Sequence, residues 1–445
     1  MKKLLSSSLA SVIAIAGLSV AVAVPANAAT KKSITCYKLT STALVTKRVT
    51  GTRPVCPRNF SRTKPNLQGT NLPGDSDLKV SGSAQLAING SSFDAPMVSA
   101  TTSGSTAYSA HGKVSFSAYP AAGSGSGRAG ITSSPASLNI GFSDQPMSGA
   151  AGTLPAGVNA SNFAQVPYIL GGAVVAYNLG TGLDNVKLTA SEIAKIYNGT
   201  ITEWSSPSIV ATNGGKTSTL GRALAKLATG NGGQPEARDT IKVIYRSGGS
   251  GTTFAFTDYL HHATGGSTPT ASGNPMEGSG NVWKATNILG AFNNSAMAQE
   301  IVNNLGSIGY VEYSYLLIPG NDAIQTAQLR DAAGQWLTPN LTDIAAAAAA
   351  AGTHISPDNF SIVDQAGKNV WPFATYSWAI VAKVQTNEAV GESVVKYLDW
   401  VTHYAQAKYA LISGYIQMPR AVQQYSRNQL MSVTYHGTAL LKMAN

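Results

Sequence analysis

Residues Ile241-Lys242-Val243-Ile244-Tyr245-Arg246-Ser247-Gly248-Gly249-Ser250-Gly251-Thr252-Thr253-Phe254-Ala255-Phe256-Thr257-Asp258-Tyr259-Leu260 decide how the chain is to be read. Ile241–Tyr245 is a short run rich in β-branched and aromatic side chains, which predicts a buried strand. A turn of glycines and hydroxyls follows, and Thr252–His262 then reads as a helix. The same alternation recurs on either side. Val166–Tyr177 is strand-like with a bend at Gly171-Gly172, and Thr189 and Glu192 stand at capping-box spacing before a short helix with Ile193, Ile196 and Tyr197 on one face. Ile308–Tyr313 and Trp378–Val384 read as further strands, and Asp343–Ala351 as an alanine-rich helix. Strand–turn–helix alternation of this kind predicts an α/β architecture.

Composition narrows the class. A chain of 445 residues suggests two or three domain-sized units of about 150 residues. With 43% hydrophobic and 12% charged residues, it carries too much apolar material for a disordered chain. The net charge of +10 is confined to one end. Residues 1–80 hold 12 Lys/Arg against 2 Asp/Glu, whereas residues 81–445 hold 19 of each. A nucleic-acid-binding body would be expected to carry its own basic face, so no nucleic-acid partner is expected. Two cysteines and six histidines at no familiar ligand spacing give no reason to expect a metal.

Residues 1–28 read as a secretory signal peptide: Lys2 and Lys3, an apolar run from Leu9 to Val24, and a small-residue cut at Ala26-Asn27-Ala28. Cys36 lies too far along for a lipid-anchor context, so an exported chain without a lipid anchor is expected. Residues 29–80 then form a basic arm and linker. In an exported chain, two cysteines suggest one disulfide, Cys36–Cys56, closing a hairpin-like loop. The charge of residues 31–64 suits either adhesion to an anionic envelope surface or a merely solvated leader.

Four turns combine small residues, hydroxyls and free backbone: Asn89–Phe93, Gly123–Gly127, Phe142–Pro146 and Arg246–Thr253. Helix starts offer unpaired N–H donors and a positive dipole end, which is chemistry for a small oxyanion. Gly125-x-Gly127-x-x-Gly130 also fits a dinucleotide fingerprint. No convincing strand leads directly into it, so it is set aside. No serine sits in a nucleophile elbow, and no catalytic residue is assigned.

In order and spacing these turns resemble the PstS family, phosphate-binding proteins that feed a phosphate ABC transporter. The likeness extends over about residues 84–425 and includes Gly199–Trp204, Arg246–Leu260, Ile308–Tyr313 and Val370-Trp371-Pro372. The resemblance implies a two-lobed periplasmic-binding-protein fold of type II, with mixed sheets flanked by helices and a hinge between the lobes. One lobe would comprise residues 81–167 and 372–445, and the other residues 168–371. It implies inorganic phosphate as ligand, no cofactor, and an ABC permease as partner. It also implies phosphate contacts from Ser92, the Phe93 backbone N–H, Ser124, Asp144, Arg246, Ser250, Gly251 and Thr252.

Two positions carry distinct chemistry. Arg246 is a permanently charged fork suited to two phosphate oxygens. Asp144 beside an anion is repulsive unless the anion still has a proton to donate, as hydrogen phosphate does and sulfate does not. A buried acceptor left unpaired by the wrong ligand is a strong filter. Taken alone, Asp144 reads as a helix cap before Pro146. The sequence departs from the family at Gly248, where relatives commonly have the aspartate that partners the arginine. The rival expectation is an envelope-associated interaction protein that reuses the fold and adheres through the basic arm. A phosphatase on the same fold ranks third.

Overall fold

A computed structural model describes residues 31–39, 44–57, 60, 62, 83–103, 108, 114–148, 155–230, 232–266, 283–352, 355–403, 405–410 and 413–441. The signal peptide and the linker expected from the sequence lie outside the described residues. The arm is a two-stranded antiparallel hairpin, Lys32–Leu39 on Leu44–Gly51, tied by the Cys36–Cys56 disulfide. The segment after the hairpin lies along the body, where Val55, Phe60 and Arg62 face Trp336, Asn340 and Asp343 across a cavity of about 640 Å³.

The body is organised by one mixed sheet of eight strands. Its order is Ile88–Gly90, Ile140–Ser143, Ala374–Ala382, Phe163–Asn178, Ser307–Glu312, Lys242–Arg246 and Ile288–Ala291, and Gln325–Thr326 also pairs with the long strand. The pairs at the two ends are parallel, and the central ones are antiparallel. Phe163–Asn178 runs unbroken for 16 residues, and Ala374–Ala382 returns beside it.

These two strands pass between two hydrophobic cores. Val166, Tyr168 and Ile169 pack with Ile88, Phe142 and Leu398 in one. Leu170, Val174, Val175 and Tyr177 pack with Trp204, Val243, Phe256 and Tyr310 in the other. Both faces of the long strand are buried, so it reads as a nearly continuous apolar run rather than an alternation. Burial of this apolar surface, at about 25 cal/mol per Å², holds each half together.

Helices follow the strands as expected. Gly251–Ala263 succeeds the strand Lys242–Arg246, with Ser250 Oγ accepting from Thr253 N at 3.1 Å as its cap. Thr189 and Glu192 form the anticipated capping box on Ala190–Tyr197. Gly125, Gly127 and Gly130 lie inside the helix Ser124–Thr132, so the fingerprint is not a strand-to-helix turn. Among the described residues, no helix is long and apolar enough to cross a membrane.

Candidate functional site

In an open α/β sheet, binding crevices form beyond the carboxyl ends of parallel strands. Here, four strand ends converge. Ile88–Gly90 leads into the helix Ala95–Thr102, Lys242–Arg246 into Gly251–Ala263, and Ile288–Ala291 into Asn294–Asn303, while Asp144 follows Ile140–Ser143. The helix Ser124–Thr132 also begins at this point. Four helix N-termini thus bring their positive dipole ends to one buried place between the cores.

The four turns touch one another. Asn294 N donates to Ser92 Oγ at 3.0 Å, and Asp144 N donates to Ser124 Oγ at 3.2 Å. Thr252 Oγ1 donates to Asp144 Oδ2 at 3.2 Å, and Gly125 N donates to the Gly249 carbonyl at 3.2 Å. Gly251 is required by this approach, since a Cβ there would stand 2.4 Å from Ser124 Oγ and 2.7 Å from Asp144 Cβ. Gly123 has φ +103°, and a Cβ would meet the Gly249 carbonyl at 2.4 Å. The Phe93 N–H, expected to face a ligand, donates instead to Ser91 Oγ at 3.0 Å.

Arg246 is the last residue of its strand and is 1% exposed. Its Nε donates to the Phe292 carbonyl at 3.2 Å and its Nη1 to Asn294 Oδ1 at 3.0 Å, whereas Nη2 is buried without a partner. Asn294 therefore does what the missing aspartate at Gly248 was expected to do: it fixes the guanidinium, with a neutral oxygen in place of a charged one. Burial pulls Arg246 below its ordinary value, but a guanidinium remains charged in proteins.

Asp144 caps no helix. Its Oδ2 accepts from Thr252, and its Oδ1 lies 3.0 Å from Ser377 Oγ. Burial lifts its pKa to about 6, against the pull of hydrogen bonds from Ser91, Ser377 and Thr252 and of the Arg246 charge. Burial likewise drives Asp94 and Glu312 well above the carboxylate range, and the neighbouring Asp144 charge adds to both shifts. Arg246 thus shares the site with three buried acids, and Arg128 is held beside it by Ser143 and Gln145.

Sequence reasoning missed Asn294, Ser377 and Asp94. Asn294 sits at a strand-to-helix turn, where asparagine is commonplace. Asp94 precedes Ala95-Pro96 and so passes for an ordinary cap. Ser377 lies within a strand that begins at Ala374, four residues earlier than the apolar run suggested.

A mixed α/β body with a buried site roofed by helix N-termini has the architecture of the periplasmic-binding-protein fold. The PBP superfamily domain matches residues 77–403, and the chain belongs to that family. It is 27% identical over 377 residues to the phosphate-binding protein PstS of Xylella fastidiosa, covering 83% of this chain and 91% of that one. It is 28% identical over 315 residues to PstS3 of Mycobacterium bovis, covering 68% and 74%. Among solved structures, a high affinity periplasmic phosphate-binding protein (PfluDING) aligns with a TM-score of 0.57 at 18% identity, covering 80% of this chain and 96% of that one. A phosphate-binding protein from Stenotrophomonas maltophilia aligns at 0.52 and 19%, covering 78% and 94%.

Proposed function

We propose that this chain is an exported phosphate-binding protein that captures one inorganic phosphate ion between its lobes and hands it to an ABC permease, without catalysis. The lobes would be residues 81–167 with 372–445, and residues 168–371, hinged at the two central strands. The contacts would come from Ser92, the Phe93 backbone, Ser124, Asp144, Arg246, Ser250, Gly251 and Thr252, with Asn294 holding Arg246. The Phe93 N–H would exchange Ser91 for the ion.

One observation carries the reading. An unpaired, buried guanidinium nitrogen and a proton-accepting carboxylate share one enclosed site, and hydrogen phosphate satisfies both at once, since its anionic oxygens accept and its hydroxyl donates. The PstS relatives support it over most of the chain's length. Neither these relatives nor the arm's contacts favour the rival reading of an envelope adhesin acting through residues 31–64. Calorimetric titration of the chain without residues 1–28 tests the proposal. Tight phosphate binding with strong rejection of sulfate is expected, and equal affinity for both, or none for phosphate, would refute it.

A further inference from the structure

Asp94 is fully buried beside the site, yet it does not serve its own helix. It stands at the start of Ala95–Thr102, where an aspartate normally accepts from the helix backbone, but it makes no side-chain cap. Its carboxyl turns inward instead. Oδ2 lies 2.9 Å from Ser377 Oγ, and Oδ1 is buried without a partner. The same Ser377 oxygen lies 3.0 Å from Asp144 Oδ1.

One hydroxyl carries one proton. If it is committed to one carboxylate, the contact to the other needs a proton from that carboxyl. Two ionised acids joined by a single hydroxyl, with water excluded, would also repel strongly. The proton belongs on Asp94. Asp144 is favoured as the anion by the Thr252 hydroxyl and the Arg246 charge, whereas Asp94 has no donor of its own and an orphaned oxygen.

We propose that Asp94 is held as a neutral carboxylic acid that donates to Ser377, so that the Ser377 proton is committed to Asp144 and Asp144 alone meets the ligand as an anion. Asp94 is thus a positioning residue, and its consequence for binding rests on the phosphate reading. The groups around it fit this role. Asp144, Glu312, Tyr119, Tyr168, Tyr315, Tyr397 and Tyr415 act on it from the packed elements, while the guanidinium of Arg246 binds Asn294 and Phe292 and that of Arg128 binds Ser143 and Gln145.

Infrared spectroscopy tests the protonation without any ligand. At pH 8 the wild-type protein is expected to show a carboxylic-acid C=O band. Carbon-13 labelling of the aspartate carboxyls should shift it, which separates it from any Glu312 signal without a substitution. Asp94→Asn should remove it. A spectrum with no label-sensitive band, or one in which Asp94→Asn keeps that band, overturns the proposal. Phosphate titrations supply the functional arm. Above the point where Asp94 ionises, the wild-type Kd should rise about tenfold per pH unit, the slope of one lost proton, whereas Asp94→Asn should stay flat. A wild-type profile as flat as that of Asp94→Asn would also overturn the positioning role. Loss of phosphate binding at every pH, with the infrared band intact, would refute the phosphate reading and leave the protonation of Asp94 standing.

Discussion

Replacing Asp144 by asparagine keeps the shape of the side chain and removes its charge. In the wild type, an anionic ligand oxygen placed about 4 Å from the carboxylate repels it by about 4 kcal/mol at an effective dielectric of about 20. Sulfate has no proton with which to relieve this, and 4 kcal/mol is about a thousandfold in Kd. Hydrogen phosphate replaces the repulsion with a hydrogen bond to a charged group, which contributes about 1.5–3 kcal/mol. In Asp144→Asn, sulfate affinity is therefore expected to rise about 10³-fold and phosphate affinity to fall about 10- to 100-fold. Isothermal calorimetry with both anions at pH 8 measures the two changes. Acid should imitate the substitution: as pH falls through about 6, Asp144 gains its proton while sulfate stays a dianion, so sulfate rejection relaxes. If Asp144→Asn discriminates as well as the wild type, selectivity does not reside in this carboxylate and the reasoning fails.

Arg246→Lys keeps the charge but loses the fork, and phosphate affinity should fall about 10–100-fold, measured by the same titration. Gly251→Ala drives a methyl into Ser124 and Asp144, so affinity should fall by about a hundredfold, the scale of a 1 Å misplacement, while circular dichroism shows a folded chain. Away from the site, Arg427 Nε binds Asp399 Oδ1 at 2.8 Å, with both side chains buried. Arg427→Ala removes the guanidinium partner of that buried carboxylate and leaves it His403 Nδ1 at 3.3 Å, so it should cost up to about 3–5 kcal/mol in denaturant unfolding. The raised pKa of Asp144 also predicts a pH effect on the ligand-free protein. Between about pH 4 and 6 the folded form holds a proton that the unfolded chain has released. Stability should therefore fall as pH rises through this range, and Asp144→Asn should abolish that part of the slope, as read by thermal unfolding.

Much of this was legible because local chemistry and global fold agree. The run before Arg246 is too apolar to be anything but a buried strand, and the glycine–hydroxyl turn after it can only open a helix. Arg246, Asp144 and Thr252 could be picked out only through the likeness of the four turns, in order and spacing, to the PstS family, since Asp144 alone passes for a helix cap. What stayed hidden depends on distance along the chain. Ser377 contacts Asp94 and Asp144 across 283 and 233 residues, and no pattern in a serine-bearing strand signals such a partner. Asn294 replaces a missing carboxylate 46 positions away from Gly248. Asp94 was masked by its position, because an aspartate ahead of Ala-Pro satisfies every rule for an ordinary helix start.

The two central strands carry a further consequence. Phe163–Asn178 and Ala374–Ala382 are hydrogen-bonded to each other along the whole of the shorter strand, so among the described residues a paired ribbon links the two cores. A paired ribbon of this kind tolerates twisting far better than sliding or stretching, because torsion leaves each ladder bond nearly intact and shear breaks several together. Opening would then be a small rotation about the ribbon with an elastic restoring force. Neither half could be excised as an autonomous folding unit, because cutting at the ribbon removes staves from both cores.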